Sequence, residues 1–192
     1  MNVIDKSRLA DTDRKSFLRG ALCSIAWTLL LAAAADSHAA CNTAIPAGSP
    51  TSRFADNGDG TVTDFRTGLM WMRCTLGQTW SGATCTGSPT PYVWADALAA
   101  AQSSSFAGHT DWRIPNVKEL LSIVERRCSP AINDTVFPAT FPGVYWTSSP
   151  NVAGPGVNAV TVSFSQGSDA ADEKANANPA FHFFARPVRV FR

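Results

Sequence analysis

The cysteine spacing constrains this chain more than any other feature of its sequence. Five cysteines are present: Cys23 sits inside an uncharged apolar run, and Cys41, Cys74, Cys85 and Cys128 follow it. Four cysteines allow three pairings. Cys74 and Cys85 flank a Thr-, Ser- and Gly-rich stretch containing Gly77, Ser81 and Gly82, so a local loop closed by that pair is the first expectation. Cys41 is then left to join the N-terminal segment to Cys128. The rival use of four cysteines is a metal site, but neither Cys-x-x-Cys nor a pair of closely spaced histidines accompanies them. Disulfides are the expected use, and they require an oxidising compartment.

The N-terminus points to the same compartment. Lys6, Arg8, Arg14, Lys15 and Arg19 precede an uncharged apolar run from Ala21 to Ala35, and Ser37-His38-Ala39 supplies small residues before Ala40. That order of charge, apolar run and small residues predicts a cleavable export signal over residues 1–39. The run is shorter than the roughly 20 residues a membrane-spanning helix needs, so no stable membrane span is expected after processing. Asp13-Arg14-Lys15-Ser16-Phe17-Leu18-Arg19 resembles a twin-arginine export motif with Lys15 in place of the second arginine, which leaves the general and twin-arginine routes both open. A lipidated Cys41 is disfavoured, because His38 stands where such sites carry an aliphatic residue. The expected location is the periplasm or the cell exterior.

Charge excludes a further class of function. The first 39 residues hold five of the 16 basic and four of the 15 acidic residues, so eleven of each remain beyond them. A balanced chain has no net electrostatic attraction for nucleic acid or an anionic membrane surface, and no nucleic-acid partner is expected.

Residues 40–52 contain Pro, Gly and Ser and read as an N-terminal arm, with the folded domain running over 53–192. Arg53-Phe54-Ala55, the turn Asp56-Asn57-Gly58-Asp59-Gly60 and Thr61-Val62-Thr63-Asp64 predict a hairpin. Arg66-Thr67-Gly68 turns again into a strand over Leu69-Met70-Trp71-Met72. Thr90-Pro91 predicts the cap and first turn of a helix carrying Trp94, Ala97, Leu98 and Ala101 on one face. Asn116 and Glu119 predict a capping box for a second helix, with Val117, Leu120, Leu121 and Val124 facing the core and Arg126 and Arg127 in its last turn. Val144 to Thr147, Ala159 to Phe164 and Arg186 to Phe191 read as strands, whereas the polar stretch from Gln166 to Pro179 reads as a loop. The resulting fold class is α+β, with two helices, short antiparallel strands and a loop-rich second half.

These motifs occur in a specific order. Asn57-Gly58-Asp59-Gly60-Thr61-Val62-Thr63-Asp64, Thr67-Gly68-Leu69-Met70-Trp71 and Asp111-Trp112-Arg113-Ile114-Pro115-Asn116-Val117-Lys118-Glu119-Leu120 are followed by Phe137-Pro138, Tyr145-Trp146-Thr147-Ser148-Ser149-Pro150 and Val188-Arg189. Together they resemble the Lcl C-terminal domain family, named for the globular end of a collagen-like bacterial adhesin. The resemblance implies a C-type-lectin-like fold in an exported protein. It also implies a carbohydrate-binding, adhesive role, since the best-known member binds sulfated polysaccharides.

Residues for chemistry are few. Asp56, Asn57, Asp59 and Asp64 could offer oxygens to calcium, but no bidentate Glu follows at the required distance, and a plain hairpin turn accounts for them. Calcium is therefore a secondary expectation, and no other cofactor or metal is expected. Asp111 and Arg113 read as an ion pair around Trp112 that pins the second helix. Trp71, Trp94, Trp112 and Trp146 read as core, whereas Trp80 in the disulfide loop is the tryptophan expected to be exposed. Trp80 or Tyr145 would be the ring to stack on a sugar. His109 and His182 accompany no nucleophile motif, and Glu119 and Glu125 fall on different helix faces, so no catalytic residue is assigned. The expectation is a non-enzymatic binding module for a glycan or surface polymer. The alternative is a protein–protein module of an envelope or surface assembly, with an oxidoreductase or hydrolase third.

Overall fold

A computed structural model of the chain describes residues 40–152, 157–174 and 182–192. The expected export signal over 1–39 and the end of the 166–179 stretch lie outside those residues. The domain is α+β, built mainly from antiparallel strands with two short helices. Among the described residues, no helix is long and apolar enough to cross a membrane.

Strands β2 (Phe54–Asp56), β3 (Thr61–Asp64), β4 (Leu69–Met72) and β11 (Val188–Val190) form a four-stranded sheet in the order β11-β4-β3-β2. The hairpin turn is the expected one: Gly58 and Gly60 have φ near +80° and +88°, a region that glycine adopts without steric cost. The apolar run of β4 buries both of its faces, as an inner strand must. Leu69 and Trp71 enter the main core with Val62, Leu120, Ile132 and Phe137, whereas Met70 and Met72 pack with Trp112 on the other side. The C-terminal strand closes on the middle of the chain's first sheet, pairing Val188 with Trp71.

Helix α1 (Trp94–Gln102) starts later than Thr90-Pro91 suggested. Tyr92 is held extended by reciprocal hydrogen bonds with Phe183 at 2.9 Å, so the helix cannot begin before Val93. Ala97 and Ala101 are fully buried against Trp146, Ala159 and Ala185. Trp94, expected as core, is half-buried and donates its indole N–H to the Thr147 carbonyl at 2.8 Å.

Helix α2 (Val117–Ser122) opens with the anticipated capping box: the Asn116 side chain accepts from the Glu119 amide, and the Glu119 carboxylate accepts from the Asn116 amide. Its end differs from expectation. The helix stops at Ser122, so Arg126 and Arg127 do not complement its dipole. The cause is tertiary: the Glu125 amide bonds to Ala131, and its buried carboxylate accepts from the Gly48 and Ser49 amides. Arg126 instead reaches the Gly167 carbonyl.

A second sheet in the order β10-β9-β8 joins β8 (Val144–Pro150), β9 (Asn158–Ser163) and β10 (Ser168–Glu173). Residues 168–173 were expected as loop and form a strand instead, because β9 supplies six successive antiparallel partners. The N-terminal arm is not a free lead-in either. Strand β1 (Ala40–Cys41) pairs with β7 (Cys128–Ser129), and Asn133 donates to the Ser49 carbonyl at 2.9 Å.

Candidate functional site

Two disulfides frame the molecule, Cys41–Cys128 across 87 positions and Cys74–Cys85 across 11. The second closes the loop that carries Trp80 on a two-residue hairpin of β5 (Thr79–Trp80) and β6 (Cys85–Thr86). The Ser81 side chain ties the loop tip, accepting from the Thr84 amide and donating to its carbonyl. This loop faces the turn that follows α1, and between them lies a cleft of about 170 Å³. Trp80 and Phe106 line it together with Thr75, Gln78, Ser104 and Ser105.

The positions of the two rings follow from the strands beneath them. Arg73, the residue after β4, stacks its guanidinium 4.4 Å from the Trp80 ring centre. That guanidinium is itself held by the Asp56 carboxylate at 2.6 Å and by the Val136 and Thr135 carbonyls. Gly60 completes the seat: a Cβ there would stand 2.7 Å from Trp80 Cγ and 2.9 Å from Phe106 Cζ, so only glycine lets the rings approach the hairpin. Phe106 is fixed by a bridge to His109 and by the Trp112 indole, which donates to its carbonyl at 3.1 Å. Trp80 is accordingly half-buried rather than standing free in solvent.

Gln78 brings the polar character. Its amide oxygen accepts from the Thr75 amide and its nitrogen donates to the Ala139 carbonyl, both at 3.1 Å. Ser104 donates to the Ala100 carbonyl, while Ser105 lies exposed at the rim. Arg186 lies behind the Thr75 hydroxyl. It is fully buried and bonds to the Met72 and Arg73 carbonyls and to the Thr75 and Thr140 hydroxyls.

Several expected roles are corrected by this geometry. Tyr145 is not available to stack on a sugar: it is fully buried against Phe164, and its hydroxyl bonds to Thr75 at 2.9 Å. Burial pushes its phenol above the ordinary tyrosine value. The calcium candidates each have partners within the fold. Asp56 pairs with Arg73, Asp64 with Arg53, Asp59 accepts from Thr61, and Asn57 bonds to Thr61 and Thr63. Among the described residues, no three His, Cys, Asp or Glu side chains gather in one place.

Asp111 and Arg113 do not pair with each other. Asp111 meets Arg189 at 2.6 Å, and Arg113 forms a two-pronged pair with Glu119, both contacts at 2.7 Å. Burial would raise the Glu119 pKa, but Arg113 and the Asn116 amide outweigh it and hold the carboxyl below its ordinary value. Sequence reasoning singled out Trp80 but missed Phe106 and Gln78, whose signals are a lone aromatic and a lone amide in polar loops.

No curated protein matches the chain at a significant level. The profile of the Lcl C-terminal domain, in contrast, matches residues 60–189. That span runs from the seat of Trp80 to the middle of β11, and takes in both helices and every cleft residue named above. With the ordered motifs now located in one folded unit, the chain belongs to the Lcl C-terminal domain family.

Proposed function

We propose that this protein is an exported, non-enzymatic binding module that recognises a glycan or another surface polymer, in the manner of an adhesin. The observation that carries this reading is the cleft in which Trp80 and Phe106 stand beside Gln78, Ser104 and Ser105. An aromatic side chain next to amide and hydroxyl groups suits a ligand with an apolar face and many hydroxyls. The cleft, at about 170 Å³, is smaller than the roughly 300–1,000 Å³ of sites that enclose drug-sized ligands or cofactors. It has room for one unit of a chain that continues through the opening.

Family membership supports a surface- or adhesin-related role, and the two disulfides are consistent with an exported protein. A four-stranded sheet that takes in both β2 and β11, together with two helices, supports a C-type-lectin-like reading of the α+β fold. The non-enzymatic reading rests on how the acidic groups are used. Glu119 is committed to Arg113, Glu125 to two backbone amides, and Asp64 to Arg53. Binding on this reading needs no cofactor.

One observation favours the second reading, a protein–protein module of an envelope or surface assembly. Phe65 and Phe191 are 69% and 47% exposed, and Phe191 sits on the turn after Phe65, its amide bonded to the Gly68 carbonyl. A glycan array probed with the oxidised protein, with and without calcium, tests the first reading. We expect signal on polysaccharides under both conditions. A blank array under both rejects glycan recognition and leaves the exposed Phe65 and Phe191 rings as the leading surface.

A further inference from the structure

The charges around the cleft say which kind of glycan unit it can accept. None of the described residues that line it carries an ionisable side chain. Arg73 and Arg186, which lie close to its lining, are beneath the surface and already committed. Arg73 is 7% exposed, paired with Asp56, bonded to two carbonyls and stacked on Trp80. Arg186 is fully buried, and the Thr75 and Thr140 hydroxyls accept from it. A sulfate or carboxylate bound here would shed its water without gaining a charge-assisted donor, which is the costly case for burying an anion. A neutral sugar ring has no such charge to desolvate. Its hydroxyls can trade water for the Gln78 amide and the Ser104 and Ser105 hydroxyls, and its C–H face can lie against the aromatic wall.

Building on the polymer-binding reading, we infer that the cleft takes an uncharged pyranose unit of a neutral polysaccharide. Trp80 and Phe106 supply the apolar contact, and Gln78 and the two serines supply the hydrogen bonds. Arg73 acts as a positioning residue that holds Trp80 and makes no contact with the ligand.

The test uses the oxidised protein against a neutral panel (dextran, xylan, mannan and chitin oligosaccharides) and a sulfated panel (dextran sulfate and heparin). Each is measured at about 50 mM and about 500 mM salt, where screening lengths differ severalfold. We expect a member of the neutral panel to bind with a Kd that changes less than about twofold between the two salts. Trp80→Ala should weaken it at least about tenfold, as removal of a central aromatic does. Ser105→Trp, on the exposed rim, should block binding while leaving the circular dichroism spectrum and melting temperature unchanged, which guards against a Trp80 variant that fails to fold. Preference for the sulfated panel with steep salt dependence would overturn the neutral-unit inference and leave polymer binding standing. Neutral binding that survives both substitutions would overturn the assignment to this cleft. No binding to either panel would overturn both.

Discussion

Arg53 and Arg186 are both buried, and the fold holds them in different ways. Arg53 makes a two-pronged pair with Asp64 and also donates to the Ser122 carbonyl, tying β3 to the end of α2. Arg186 has no carboxylate partner among the described residues and relies on carbonyls and hydroxyls, so burial pulls its pKa below the ordinary arginine value. Removing one partner of a buried pair is worse than never having had it, because the remaining charge is left without compensation. Asp64→Asn should therefore destabilise by about 3–5 kcal/mol, read by urea denaturation at neutral pH. Burial would raise the Asp64 pKa, but the hydrogen bonds from Arg53 and Thr67 outweigh it and hold the carboxyl below its ordinary value. A depressed carboxyl stabilises fully above its unfolded pKa of about 3.9 and loses that contribution as pH falls through the folded value. The wild-type protein should lose stability across that acid window, and the Asn variant should show a flatter dependence there.

At the scale of elements, α2 spans only six residues, so its ends weigh heavily. An isolated helix of this length does not hold itself together, and the capping box at Asn116 and Glu119 is what its sequence contributes. Asn116→Ala should cost about 1 kcal/mol, whereas Asn116→Asp, another good cap, should be near neutral; a pair of denaturant melts separates them. The start of this helix was legible because a capping box is local, four residues in a row. Its end was not, since Glu125 is drawn out of helical geometry by amides of Gly48 and Ser49, more than 70 positions away. Strand β10 is the same case reversed. Ser168-Asp169-Ala170-Ala171-Asp172 has little strand propensity of its own, and it is extended because β9 pairs with it.

Across the whole molecule, the two disulfides differ in what they close. Cys41–Cys128 binds the arm to the body over 87 positions, and on a chain-entropy basis its removal should cost about 4–5 kcal/mol; Cys74–Cys85, over 11 positions, should cost about 3 kcal/mol. The double substitutions Cys41→Ser with Cys128→Ser, and Cys74→Ser with Cys85→Ser, compared by urea denaturation, test that order. The first should also expose the arm to proteolysis, although its contacts through Glu125 and Asn133 remain. The second should loosen the loop that carries Trp80 and shift its fluorescence toward that of a solvated indole.

The cysteine spacing and local chemistry of the sequence were enough for the α+β class, the β2–β3 hairpin, the start of α2 and the two crosslinks expected first. Each depends on residues close in the chain, or on a pairing with few alternatives. The tertiary structure decided the rest. It buried Tyr145 and gave Asp111 and Arg113 separate partners. It also made one cleft from Trp80, Gln78 and Phe106, contributed by the disulfide loop and by the turn after α1. A half-buried ring is set by what packs against it, and for Trp80 those neighbours, Gly60, Arg73 and Phe106, come from three other segments of the chain. No spacing rule along one segment encodes that meeting, because it exists only once the sheet, the loop and the turn have docked.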